Sequence, residues 1–127
     1  MELTEVPQLI EQAVAILKES GAVFGYLHGS RVTGSDRVSS DVDVAAFFGI
    51  EPPQAHDILL PPDVDLLVLD TAPLELAGRV AATGKLLFEE DPAARVRWEA
   101  TTRKIYFDEL PRLRKAHAEF AAHARQV

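Results

Sequence analysis

Two aspartates stand one residue apart in the run Ser39-Ser40-Asp41-Val42-Asp43-Val44. At the start of a strand this spacing turns Asp41 and Asp43 to one face, because side-chain direction repeats every two residues. Adjacent carboxylates repel unless a cation lies between them, and hard divalent cations take carboxylate oxygens. Two such ions roughly 3.5–4 Å apart can clamp the oxygens of a phosphoryl displacement. A third carboxylate from a neighbouring strand would complete the set. Asp65 is the candidate, because it is embedded in the apolar run Val64 to Leu69, where a carboxylate needs a partner. Asp63 and Asp70 lie at the ends of that run and read as solvated loop residues.

Gly29-Ser30 follows an apolar stretch and precedes a polar one. A glycine lets backbone approach a phosphate, a serine adds a hydroxyl donor, and a helix N-terminus offers free N–H groups. A Gly-Ser pair by itself is usually a turn. Followed after ten residues by Asp41-Val42-Asp43, it places phosphate donors next to carboxylates.

The charge distribution agrees with this site. The chain has 127 residues, net charge −7, 47% hydrophobic residues and no cysteine. Residues 36–70 hold eight acids and the single base Arg37, which accounts for the whole net charge. A solvated acidic face is the ordinary explanation of such a block, and a cation site is the other. The absence of cysteine excludes thiol catalysis, disulfides and iron–sulfur clusters and fits a reducing compartment. No apolar run approaches the ~18 residues of a membrane span, and the acidic start Met1-Glu2-Leu3-Thr4-Glu5 is unlike a secretory signal. A cytoplasmic location is therefore expected, with no membrane attachment. A net-acidic chain is a poor passive binder of nucleic acid.

Positioning these residues requires a sheet. Leu9, Ile10, Ala13, Val14 and Leu17 share a helical face between Pro7 and Glu19. Strands are expected at Ala22–His28, Asp41–Phe48, Val64–Leu69 and Lys85–Glu89, the third central because it is almost continuously apolar. One helical turn is expected around Ala55–Leu60 and a helix at Leu74–Thr83, bounded by Pro73 and Gly84. Asp91-Pro92 opens a helix to about Phe107, and Pro111 opens a last one to about Ala124. The fold class is α+β: one domain over residues 1–127, with a mixed sheet of about four strands covered mainly on one side by helices.

The remaining residues read more plainly. His28 is expected to be half-buried and satisfied by backbone. Lys85 is a weaker candidate to approach phosphate. Trp98, Ile105 and Tyr106 read as core or interface packing. The region 95–115 is net +4, a solvated helical surface or a docking face for an acidic partner. Leu113, Ala116, Phe120 and Ala124 form a stripe that packs on its own domain or serves a partner.

Gly29-Ser30, ten residues, then Asp41-Val42-Asp43, with Asp65 beyond, resembles the signature of the DNA polymerase β-type nucleotidyltransferase superfamily. The short length resembles its minimal nucleotidyltransferases, antitoxin partners of HEPN toxins. The resemblance implies the polymerase β-like fold and AMP transfer from ATP to a hydroxyl, a tyrosine of the cognate HEPN toxin. It implies nucleotide contacts from Gly29, Ser30 and Arg31, and two Mg²⁺ held by Asp41, Asp43 and Asp65. Asp65 would also help deprotonate the acceptor. Thr33 stands where many members carry arginine, so an antitoxin acting by contact alone stays open, as do transfer to a small molecule and the oligomeric state.

Overall fold

The computed structural model describes residues 5–29 and 41–125. Ser30, Arg31, Thr33 and Arg37 lie outside them. Helix α1 (Val6–Glu19) leads to strand β1 (Phe24–His28). Strand β2 (Val42–Phe47), a 3₁₀ turn (Ala55–Asp57) and strand β3 (Val64–Val68) follow. Helix α2 (Leu74–Thr83), strand β4 (Lys85–Glu89) and helix α3 (Pro92–Arg125) complete the order. The sheet runs β3-β2-β1-β4. The β1–β2 and β1–β4 pairs are antiparallel and β2–β3 is parallel, which is the mixed sheet expected.

Strand alternation divides the core into two layers. Val42, Val44, Ala46 and Leu27 bury against Ala13 and Leu17 of α1. Phe24, Tyr26 and Ala45 point the other way, toward Val80 of α2 and Trp98 of α3. Helices therefore lie on both faces, with the two later ones sharing one. Cover on both faces explains why β3 is apolar apart from Asp65 although it is an edge strand and not a central one. Val64 and Val68 serve the α1 layer, whereas Leu67 serves the other.

The expected break near Pro111 does not occur: α3 is one helix of 34 residues with Pro111 inside it. A proline there removes the donor to the carbonyl four residues back, that of Phe107. Both residues are exposed, so water can take the lost donor's place. Leu113 is half-buried beside Tyr106 and α2, but beyond it the described side chains are all exposed, and Phe120 is 76% exposed, so the rest of the terminal stripe does not pack on its own domain. Ile105, expected to pack, is 47% exposed, whereas Tyr106 is buried.

An aromatic cluster and an ion-pair network anchor the first turns of α3 to the sheet. Trp98 packs against Phe24, Tyr26 and Phe47 with ring centroids 5.5, 5.7 and 6.5 Å away. Beside it, Arg95 bridges Glu89 at 2.7 Å and Glu99 at 2.8 Å, while Arg103 pairs with Glu99 at 2.6 Å. The Tyr26 hydroxyl is buried next to Glu99 without a well-formed hydrogen bond, and burial is the first cause that pushes its ionisation up. Burial opposes the Glu99 charge, but Arg95, Tyr26 and Arg103 outweigh it and hold the carboxyl below its ordinary value. The stability this contributes is present above the unfolded carboxylate pKa and disappears as pH falls through the lower folded pKa. Glu99→Gln should therefore cost about 1–3 kcal/mol near neutrality. In urea titrations the gap to wild type should close in acid; a gap independent of pH would contradict the ionic origin.

The α2–α3 contact is close at Gly78, where a methyl group would overlap the Tyr106 ring. Gly78→Ala should destabilise the fold by about 1–3 kcal/mol through overpacking, read as a lower thermal midpoint. An unchanged midpoint would mean that α3 lifts away freely.

Candidate active site

The strand registers assemble the site. The β1–β2 register sets His28 opposite Asp43, and the β2–β3 register sets Asp43 opposite Asp65. These three residues form a row across the sheet where β1 ends and β2 and β3 begin. By alternation the row shares the face of Tyr26, Ala45 and Leu67, the face that α2 and α3 cover further down. Asp41, just ahead of β2, comes within hydrogen-bonding reach of Asp65.

The electrostatics are those of crowded acids. Loss of hydration, then the Asp41 charge and hydrogen bond, then the Asp43 charge push the Asp65 carboxyl above its ordinary value. Asp65 is nonetheless exposed, on the edge strand, and not enclosed by its apolar neighbours. Among the described residues none of the three carboxylates forms a salt bridge. His28 is half-buried, as expected; burial lowers its pKa, partly offset by Asp43 and by the Val44 backbone.

Gly29 closes the row. Its φ is +79°, and a Cβ built on it would lie 2.6 Å from Asp43 Oδ2. The turn backbone thus lies directly against the Asp43 carboxylate, possible only without a side chain. Ser30 and Arg31, expected beside it, fall outside the described residues. Below the row, a cavity of about 250 Å³ is bounded by His28 and Gly29 above and by α2 below. Lys85 is exposed on β4 and does not line this cavity.

Two polar residues have roles that sequence reasoning missed. Asp70 is not a solvated loop residue: it accepts hydrogen bonds from Phe48 N–H at 3.0 Å and Gly49 N–H at 2.8 Å, tying off the end of β2. Arg79 on α2 lines the cavity, but an arginine within a helix carries no motif that would have singled it out.

As to a metal, the donor chemistry fits: three mutually repelling carboxylates at adjoining strand ends are oxygen ligands of the type that hard divalent ions take. The side chains are not converged as a cage, since no three acidic or histidine groups among the described residues stand close enough together to hold an ion. Asp41 meets Asp65, while Asp43 interacts with Asp65 through charge alone.

The family model for polymerase beta nucleotidyltransferases matches residues 11–93, a span that contains the whole sheet and all three aspartates. The chain belongs to the polymerase beta nucleotidyltransferase family. No curated protein matches it. Several solved structures share the fold of this nucleotidyltransferase. One is a toxin–antitoxin with AMP-PNP: TM-score 0.68, 22% identity, covering 89% of this chain and 98% of that one. Another is the toxin–antitoxin MntA-HepT, TM-score 0.63 and 20% identity, covering 91% and 98%. A third is the tri-AMPylated Shewanella oneidensis HEPN toxin in complex with MNT antitoxin, TM-score 0.62 and 21% identity, covering 91% and 98%. Among the described residues no helix is long and apolar enough to cross a membrane.

Proposed function

We propose that this nucleotidyltransferase moves AMP from ATP to a hydroxyl group, a tyrosine of a HEPN toxin, and acts as that toxin's antitoxin. The observation that carries the reading is the Asp43–Asp65 pairing on adjacent strands with the Gly29 turn against Asp43. The fold likeness to the MntA-HepT antitoxin and to the toxin–antitoxin with AMP-PNP supports the choice of partner and nucleotide.

In this reading Gly29, with Ser30 and Arg31, receives the phosphates at the end of β1. Asp41, Asp43 and Asp65 would hold two Mg²⁺ ions, which would polarise the α-phosphate and offset the charge of the triphosphate. The acceptor oxygen attacks the α-phosphorus, the bond to the pyrophosphate oxygen breaks, and pyrophosphate leaves. The hydroxyl proton passes to Asp65, which faces solvent at the sheet edge, where a partner can reach it.

Asp65→Asn keeps the shape and removes the proton acceptor. Expected is a loss of transfer of about 10²–10⁴-fold, read as disappearance of the AMP adduct from the partner by mass spectrometry after incubation with ATP and Mg²⁺. The variant should still form the complex but leave the toxin active in cells. Full protection by Asp65→Asn, with no adduct from wild type, would instead establish neutralisation by contact alone.

A further inference from the structure

We propose that the cavity between α2 and the carboxylate row is the nucleobase subsite of this enzyme, and that Leu76 and Thr83 set its preference for an amino-bearing base. The proposal rests on the nucleotidyl-transfer reading above and adds where the base goes.

Three observations carry it. The first is place. The cavity begins at Gly29 and His28, beside the row, and extends down the same sheet face to Leu67. A nucleotide whose phosphates lie along Gly29 and Asp43 has this cavity directly beside it, on the same sheet face, for the rest of the molecule. The second is size and lining. At about 250 Å³ it falls below the roughly 300–1,000 Å³ of a site for a whole drug-sized ligand, so it takes one ring system and not a complete nucleoside triphosphate. Its walls include Leu67, Leu76 and Val80, which suit the flat faces of a base, while Arg79 and Thr83 supply polar groups for an edge. The third is hydrogen-bond polarity. The Thr83 hydroxyl donates to the Arg79 carbonyl at 2.7 Å. Its proton is committed, so the oxygen is left to accept, which suits an exocyclic amino group and not a ring carbonyl.

In-line displacement argues against the other ring on offer, that of an acceptor tyrosine. The nucleophile enters opposite the leaving pyrophosphate. The Gly29 turn belongs to the pyrophosphate side, and this cavity adjoins it. The acceptor then comes from the Asp65 side, at the open β3 edge.

The test measures calorimetric affinity for ATP, ITP and inorganic tripolyphosphate, each with Mg²⁺, in the full chain. Leu76 is 42% exposed, so Leu76→Trp fills the cavity without disturbing the buried core. It should weaken ATP by about tenfold, equivalent to ~1.4 kcal/mol, and leave tripolyphosphate unchanged. Thr83→Val, which keeps the side-chain shape, should abolish the preference of wild type for ATP over ITP. The nucleobase assignment is overturned if ATP affinity in Leu76→Trp stays within about twofold of wild type, or if ATP and tripolyphosphate weaken equally. Retained ATP affinity with lost transfer to the partner would assign the cavity to the acceptor. Wild type that binds neither ATP nor tripolyphosphate would overturn the nucleotidyl-transfer reading itself.

Discussion

Asp43→Asn is expected to reduce nucleotidyl transfer by about 10³-fold or more, ~4 kcal/mol of transition-state stabilisation, while leaving the fold as stable as wild type or slightly more so. The two halves of this expectation come from one arrangement. Asp43 sits mid-row between His28 and Asp65 and against the Gly29 turn, so its charge is central to the site. Removing its charge takes away an anionic ligand on which polarisation of the α-phosphate depends. The same removal relieves the repulsion that lifts the Asp65 carboxyl above its ordinary value in the metal-free protein. Asp41→Asn should behave likewise, since the Asp41 charge and hydrogen bond act on Asp65 more strongly than Asp43 does. Turnover within a few-fold of wild type in either variant would end the two-metal assignment. A large loss of stability in both would show that the carboxylates hold the fold and not a cation.

The candidate site was legible in sequence because its parts are local. Asp41 and Asp43 share a strand start, and a strand's two-residue period fixes their common direction whatever the sheet around them. The placement of Asp65 opposite Asp43 was less secure, since register depends on which strands pair. The structure pairs the two although the premise for choosing Asp65 does not hold: its carboxylate is exposed at the sheet edge and is not enclosed by its apolar neighbours. Strand position was misread for the same run: apolar residues on both faces report cover on both, and the α1 layer on one side and Val80 of α2 on the other supply it at an edge as well as at a centre. Pro111 was misread because it lies on an exposed face of the helix, where water can take the place of the donor it removes and offset part of its cost. Arg79, Thr83 and Leu76 could not have been found, because their relation to the row depends on how α2 crosses the sheet from β3 to β4.

Gly29→Ala adds a single methyl group and is expected to damage the site nearly as much as losing a carboxylate, by about 10²-fold against about 10³-fold. The residue's φ of +79° lies in the left-handed region, which costs an L-residue roughly 1–2 kcal/mol. That cost alone would lower the thermal midpoint modestly and leave chemistry untouched. The second consequence is specific to this turn: the new methyl carbon would lie 2.6 Å from Asp43 Oδ2, too close for either atom to stay. The carboxylate is the freer of the two, so it moves, and a displacement of about 1 Å at a reacting centre costs on the order of 10²-fold in rate. Gly29→Val should do more, by adding branches where the phosphates must approach. The two effects separate experimentally, because strain appears in the melting curve and displacement appears in turnover and in ATP–Mg²⁺ affinity. A well-folded Gly29→Ala protein with unchanged affinity and turnover would show that Asp43 has room to retreat without loss, and would remove the Gly29 turn from the nucleotide site.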